Sequence, residues 1–153
     1  MAENVERIIH AGDIGGAHVL NELVGVAPVT AVTGNNDQEP IPGWRLNPIE
    51  RVRIELAPSV HLVVAAVHIL GHIKPIAADT HVVVAGHTHA PSAVYDPLSG
   101  ALCVNPGSAS RARAGLGRSI AVLDVDEARA IAAISAGQRL EEADAIHLRV
   151  LAL

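Results

Sequence analysis

The chain has 153 residues, half of them hydrophobic, and a formal net charge of −5. This length suits one domain with its own core, which we expect over 1–153, and the acidic balance argues against a phosphate-binding nucleic-acid surface. No apolar run reaches the ~20 residues of a membrane span, and no secretory signal opens the chain. The single cysteine, Cys103, favours a reducing compartment. We therefore expect a cytoplasmic protein without membrane contact.

The first third of the chain predicts a strand, a helix, a strand and a loop. Val5–His10 and Pro28–Thr33 are short apolar runs typical of buried strands. In Gly16–Val24 the apolar positions fall on one side of a helix. Three prolines and a glycine make Gln38–Pro48 a loop.

The middle of the chain predicts strands with a short connection between them. Arg51–Leu56 alternates like a half-exposed strand, and Val60–Val67 is apolar throughout, like a strand buried on both faces. Gly71–Ala78 is a short connection, so any helix there is at most brief. His81–Ala85 predicts another buried strand.

The last third predicts more strands. Val94–Tyr95 and Ala101–Val104 flank a turn and predict a hairpin. Ser119–Asp124 and Ala128–Ile134 predict a second pair of strands, while Gly137–Leu153 fits helix or strand equally well. Together the elements predict an α/β fold with two mixed β-sheets sandwiched between helices.

Four predicted strand ends carry side chains that can bind a metal. They supply one carboxylate, one amide oxygen and three imidazoles, namely Asp13, Asn35, His68, His87 and His89. Ligands of open α/β sheets gather beyond the carboxyl ends of strands. A mixed nitrogen and oxygen set without thiolates suits Mn, Ni, Zn, Fe or Co.

The order of these motifs resembles the calcineurin-like metallophosphoesterase superfamily, in particular its small bacterial and archaeal phosphodiesterase branch. The matching motifs are GD at Gly12–Asp13, GNND at Gly34–Asp37, an isolated His68 after a strand, and GHTH at Gly86–His89. NPGS at Asn105–Ser108 also matches that branch, where it is a structural turn. The resemblance covers roughly residues 5–125.

The resemblance implies a role for each ligand. Asp13 would bridge two divalent metal ions, Asn35, His68 and His87 would complete one site, and His89 would serve the other. A metal-bound hydroxide would then attack the phosphorus of a small phosphorylated substrate, most simply a phosphodiester.

Asn36 stands where many relatives carry a histidine that contacts phosphate. Its amide can donate a hydrogen bond but cannot act as a general acid. We therefore expect Asn36 to contact phosphate and the enzyme to favour phosphodiesters with good leaving groups.

One expected motif is absent from the sequence. The family begins with a strand ending in Asp-x-His, about two dozen residues before GD, and only twelve residues precede Asp13 here. Either Met1 is not the true start, or the chain is a natural degenerate member. We expect the first strand to be missing, one metal ion instead of two, weak or no turnover, and strand edges beside Val5–His10 and Pro28–Thr33 that pair with a second copy.

A second departure concerns His68, which is followed by Ile69 rather than by the glycine and long helix frequent in the family. His72, which follows Gly71, is the alternative ligand. Asp37 is interpreted as a turn-capping carboxylate.

The remaining candidates have simpler interpretations. Five histidines are interpreted as ordinary residues of the surface or as neighbours of the ligands: His10, His18, His61, His81 and His147. Cys103 is read as an inert buried thiol. Three arginines fit a solvated loop better than an anion site: Arg111, Arg113 and Arg118.

Two other functions remain open from the sequence. A catalytically inactive metal-binding or protein-interaction scaffold of the same fold is the rival, because a retromer subunit of eukaryotes resembles this family and serves in assembly. The other possibility is that the chain is a fragment without function in isolation.

Overall fold

The computed structural model describes residues 5–111 and 115–153, which form nine strands and two α-helices. The strands are β1 (Ile8–His10), β2 (Val29–Ala31), β3 (Ile49–Ala57), β4 (Val60–Val67), β5 (Val82–Ala85), β6 (Ser92–Tyr95), β7 (Leu102–Asn105), β8 (Ser119–Val125) and β9 (Ile146–Ala152). The helices are α1 (Ala17–Val24) and α2 (Glu127–Ser135), and a 3-10 helix spans Leu70–Ile73.

A mixed five-stranded sheet, in the order β3-β4-β5-β7-β6, forms one layer. Its central strands β4, β5 and β7 are parallel, and β3 and β6 add antiparallel edges. In the parallel register Val64 lies opposite Val82, which lies opposite Leu102. The central strands are rich in Val and Ala because both of their faces are buried.

The second β-layer consists of two pairs, β1–β2 in parallel and β8–β9 in antiparallel. Ile9 of β1 and Leu123 of β8 pack against one buried cluster that includes Val64 and Val82. The expected α/β fold with two β-layers is therefore confirmed, although in the described residues the second layer is not one continuous mixed sheet. Helix α1 covers β2 from outside and buries Leu20 completely.

The other face of the five-stranded sheet has little helical cover. Its buried cluster includes Ala65, Val83 and Cys103, and the side chains packed over it come from the 3-10 helix and the segment after it, namely Leu70, Ile73 and Ile76. The predicted short connection after His68 is confirmed by these four helical residues.

The predicted strand over Ala128–Ile134 is wrong, because this segment belongs to α2. The carboxylate of Asp126 caps the helix by accepting a hydrogen bond from Arg129 N at 3.1 Å. Alanine is the strongest helix former, and Ala130 and Ala133, three apart, bury one face against the sheet. β8 therefore pairs with β9, which makes the undecided tail a strand.

The other sequence predictions agree with the structure within a few residues. The helix over Gly16–Val24, the strand over Val60–Val67 and the hairpin formed by β6 and β7 are confirmed. Cys103 is a buried free thiol. Within the described ranges, none of the helices combines the length and apolar character that crossing a bilayer requires.

Candidate metal centre

Four strands deliver the candidate ligands to the same end of the fold. Asp13 follows β1, and Asn35 follows its parallel neighbour β2. His68 follows β4, and His87 follows β5, again a parallel neighbour. Since the carboxyl ends of parallel strands share one edge, the loops after these strands meet there.

The side chains of these four residues are in contact. Asn35 Oδ1 lies 2.9 Å from His68 Nε2 and 2.9 Å from His87 Nδ1. His68 Nε2 lies 3.4 Å from Asp13 Oδ2. The rings of His68 and His87 meet edge to face with their centroids 5.1 Å apart. The structure thus brings Asp13, Asn35, His68 and His87 into one cluster around the amide oxygen of Asn35.

Two glycines allow the loops of Asp13 and Asn35 to touch. A Cβ atom on Gly12 would lie 2.6 Å from Gly34 N, and one on Gly34 would overlap Asp13 Oδ1. Gly12 also has a φ of 87°, which favours glycine. The glycines of the GD and GNND motifs are therefore required by the close approach of two backbones.

The carboxylate of Asp37 joins the same two loops. Its oxygens accept hydrogen bonds from the backbone nitrogens of Asp13, Ile14 and Gly34, each at 2.8 Å. The interpretation of Asp37 as a turn-capping residue is confirmed. This use of both oxygens holds the loops in register and leaves Asp13 free to face the histidines.

Asn36, the candidate phosphate contact, lies against Asp13. Its backbone nitrogen donates to Asp13 Oδ1 at 2.9 Å, and its side-chain amide donates to Asp13 Oδ2 at 2.6 Å. Asn36 is exposed, so its amide is also accessible to solvent. The side chain of Asn36 therefore orients the carboxylate of Asp13.

The GHTH loop is held in an unusual backbone conformation. His87 and His89 have φ values of 67° and 59°, in the left-handed region that non-glycine residues seldom adopt. Asn105 Nδ2 donates to Gly86 O at 2.9 Å and to Thr88 Oγ1 at 2.8 Å. These hydrogen bonds compensate part of the strain, and strain of this kind is concentrated at functional sites.

The other histidines occupy different surroundings. His89 Nδ1 and His10 Nδ1 are buried, and neither has a hydrogen-bond partner among the described residues. Burial lowers the pKa of His10, against the raising effect of the Asp37 and Asp13 carboxylates. His10 is thus a half-buried neighbour of the cluster, whereas the alternative ligand His72 is exposed in the 3-10 helix.

His68 provides a test of whether the cluster fits a metal ion. Its Nδ1–H donates to Ala11 O at 2.7 Å, so Nε2 of the neutral ring carries a lone pair. That lone pair faces Asn35 Oδ1 and Asp13 Oδ2, neither of which has a hydrogen to donate. A cation or a ring proton among these atoms would relieve the repulsion between their lone pairs.

The donor chemistry fits a divalent cation. A metal-binding imidazole is usually oriented by a hydrogen bond from its second nitrogen to a carbonyl, as in His68. Within residues 5–111 and 115–153, no group of three side chains drawn from His, Cys, Asp and Glu is arranged to hold a metal ion. Amide side chains such as that of Asn35 are not among these four types. A metal site in this cluster would therefore include Asn35 Oδ1 as a donor.

A family model supports what the motifs indicate. Residues 1–128 match the model of the calcineurin-like phosphoesterase superfamily domain. The chain belongs to this superfamily. The expected metallophosphoesterase-type α/β fold and the resemblance read from the motifs are both confirmed.

Two archaeal proteins of the superfamily are similar in sequence. A probable metallophosphoesterase of Methanocaldococcus jannaschii is 33% identical over 131 residues, which are 81% of this chain and 63% of the relative. A probable metallophosphoesterase of Methanothermobacter thermautotrophicus is 35% identical over 109 residues, or 69% of this chain and 61% of the relative. The chain thus spans less than two thirds of the length of either relative.

Solved structures share the fold. An archaeal phosphodiesterase superposes with a TM-score of 0.63 at 23% identity, covering 99% of this chain and 85% of its own. Vps29 of Entamoeba histolytica, solved with zinc, superposes with a TM-score of 0.61 at 21% identity, covering 81% of this chain and 71% of its own. The superfamily fold is therefore common to a phosphodiesterase and to Vps29.

Sequence reasoning missed some residues that shape the centre. The carbonyl of Ala11 orients His68, and Asn105 holds the GHTH loop, although the NPGS motif predicted only a turn. Their spacing along the chain carries no signal of these long-range contacts. Arg111 and Arg118 are exposed, in line with a solvated loop, and Arg113 lies outside the described residues.

Proposed function

We propose that this protein is a metal-dependent phosphodiesterase that uses the cluster of Asp13, Asn35, His68 and His87. The observation that supports this most is the position of His68 Nε2, which lies 2.9 Å from Asn35 Oδ1 and 3.4 Å from Asp13 Oδ2. The family supports a hydrolase that acts on phosphoesters. The substrate would be a small phosphorylated molecule.

Each residue has a role in this proposal. Asp13 supplies the negative charge, Asn35 Oδ1 supplies the shared neutral oxygen, and His68 and His87 supply nitrogen donors. A divalent cation bound there would lower the pKa of a coordinated water and offset charge on the phosphate. His89, with a buried and unpartnered Nδ1 among the described residues, is a further donor beside the GHTH turn.

Asn36 would act on the phosphate by hydrogen bonding. Its amide donates to Asp13 Oδ2 at 2.6 Å, and the same amide can turn to a phosphate oxygen because the residue is exposed. An amide has no acidic proton for a leaving group. Diesters whose leaving group departs as a stable anion are therefore the favoured substrates.

Metal titration combined with an activity assay tests the proposal. We expect Mn²⁺ or Zn²⁺ to bind in isothermal titration calorimetry and to support hydrolysis of a nitrophenyl phosphodiester. Asp13→Ala and His87→Ala should each reduce metal affinity by about 100-fold or more, beyond the usual loss for an outer-shell change. His61→Ala is the matched control, because His61 lies on β4 roughly 20 Å of strand away from His68.

A scaffold without catalysis is the second candidate. It is supported by the two hydrogen bonds that Asn36 donates to the Asp13 carboxylate and by the shared fold with Vps29. Metal binding with no turnover above the His87→Ala background would favour the scaffold. Metal-dependent turnover that both cluster variants remove would favour the enzyme.

A further inference from the structure

An apolar cleft of about 180 Å³ opens beside His87. Ile69 and Leu70 line it from the start of the 3-10 helix, and Val94 and Cys103 line it from neighbouring strands of the five-stranded sheet. Because His87 is part of both the cleft and the metal-centre cluster, a molecule bound to one can extend into the other.

The short connection after His68 borders this cleft through Ile69 and Leu70. Leu70, Ile73 and Ile76 cover the buried cluster of the sheet, and β6 contributes no residue to that cluster. Val94 of β6 is 65% exposed although its side chain is fully apolar. Ligand sites are commonly clefts lined by apolar side chains with a few polar groups beside them.

The lining favours an uncharged occupant. The described lining residues include no Lys, Arg, Asp or Glu. Burial raises the pKa of the Cys103 thiol, which therefore stays neutral and contributes as a small apolar group. Asn105, a polar lining residue, is committed to Gly86 and Gly107 by hydrogen bonds.

The volume of the cleft matches a small apolar group. A cavity of roughly 150 Å³ in another protein accommodates benzene. We propose that the cleft receives a single aryl ring or a short alkyl chain that is esterified to the phosphate held by the metal-centre residues. This inference rests on the proposed function and specifies its substrate class.

Phosphonates that differ in their apolar group test the inference. Phenylphosphonate and methylphosphonate carry the same anionic group, so the difference in their affinities reports the cleft. We expect the zinc-loaded protein to bind phenylphosphonate about five- to tenfold more tightly in calorimetry. Equal affinities would overturn the inference.

A pair of variants on β6 supplies the control. Val94→Asn makes the cleft polar, whereas Ala93→Asn places the same side chain on the opposite face of the strand, and both positions are exposed. Val94→Asn should abolish the preference for phenylphosphonate, with methylphosphonate affinity unchanged. Ala93→Asn should preserve the preference, and an equal loss in both variants would contradict the inference.

A metal-free experiment separates failure of the cleft from failure of the proposed function. Phenol carries the ring without the phosphate, so its binding does not depend on a metal. We expect saturable shifts of the backbone amide resonances at positions 94 and 103 on titration of the wild-type protein with phenol. The shift at Cys103 should be smaller in Val94→Asn. If these shifts occur in a protein that binds no metal, the cleft is confirmed as a binding site and the metal site is refuted. If the shifts are absent, the cleft itself is refuted.

Discussion

Asn36 holds the carboxylate of Asp13 with two hydrogen bonds, one from its backbone nitrogen at 2.9 Å and one from its side chain at 2.6 Å. Both residues follow parallel strands, and 23 positions separate them in the chain. The backbone bond depends on the fold, whereas the side-chain bond depends on the amide. These two contributions can therefore be separated by mutation.

Asn36→Ala tests the side-chain contribution. We expect metal affinity to fall by about tenfold, since the loss of an outer partner of a ligand typically costs 10–100-fold and the backbone bond remains. Calorimetric titration with Zn²⁺ measures this. Gln38→Ala, which removes an exposed amide two residues away, should leave the affinity unchanged. Wild-type metal affinity in Asn36→Ala would show that the side chain of Asn36 does not orient Asp13.

Asn105→Ala tests the support of the GHTH loop. Asn105 is 7% exposed, donates to Gly86 O and Thr88 Oγ1, and accepts from Gly107 N at 2.9 Å. Its loss leaves partners unsatisfied and should lower the free energy of unfolding by about 1–3 kcal/mol in urea denaturation. The exposed Asn47→Ala should cost far less. Equal effects at the two positions would contradict a supporting role.

Gly34→Ala tests the close approach of the two ligand-bearing loops. The added Cβ would overlap Asp13 Oδ1, so either the loop or the carboxylate must move. Overpacking of this kind typically costs about 1–3 kcal/mol, and metal affinity should fall as well. Gly71→Ala is the control, because a Cβ there meets nothing within 4 Å. A melting temperature and a metal affinity equal to those of the wild type in Gly34→Ala would refute the tight contact between Gly34 and Asp13.

The ion pair of Lys74 and Asp96 predicts a pH dependence of stability. The hydrogen bond from Lys74, followed by those from the Ser99 backbone and side chain, lowers the pKa of Asp96 well below 3.8. Below that value the unfolded chain binds more protons than the folded one, so this stabilisation is complete above about pH 5 and is lost as pH falls below 3.8.

Asp96→Asn should therefore lower stability at pH 6, with the difference from wild type shrinking towards pH 3. Urea unfolding at a series of pH values measures both proteins. Asp124→Asn removes an exposed carboxylate paired with Arg149 and serves as the control. A difference for Asp96→Asn that stays constant from pH 6 to pH 3 would contradict the linkage.

Self-association through strand edges remains a prediction. In the described chain β1 pairs with β2 and with no other strand. An open strand edge can pair with the same edge of a second copy. Light scattering coupled to size-exclusion chromatography should show a dimer whose fraction rises with protein concentration. A monomer across the whole concentration range would count against this expectation.

Most of the strands were predictable because their signals are local. The apolar run Val60–Val67 predicts β4 without reference to the rest of the chain. The sequence did not predict helix α2 because Ile131 and Ile134 are β-branched residues typical of strands. The cap at Asp126 and the alanines, which favour a helix, are weaker signals. The tail was undecided because a strand with one exposed face depends on its partner, which is β8.

By itself the sequence determined which side chains stand at strand ends and that they form a nitrogen and oxygen donor set. The tertiary structure alone decided that Asn35 Oδ1 lies between His68 and His87, that Ala11 orients His68, and that a cleft lies beside His87. The physical reason is that these contacts join residues 33 to 57 positions apart in the chain. Their geometry depends on strand register and on the space around glycines, which residue order does not record.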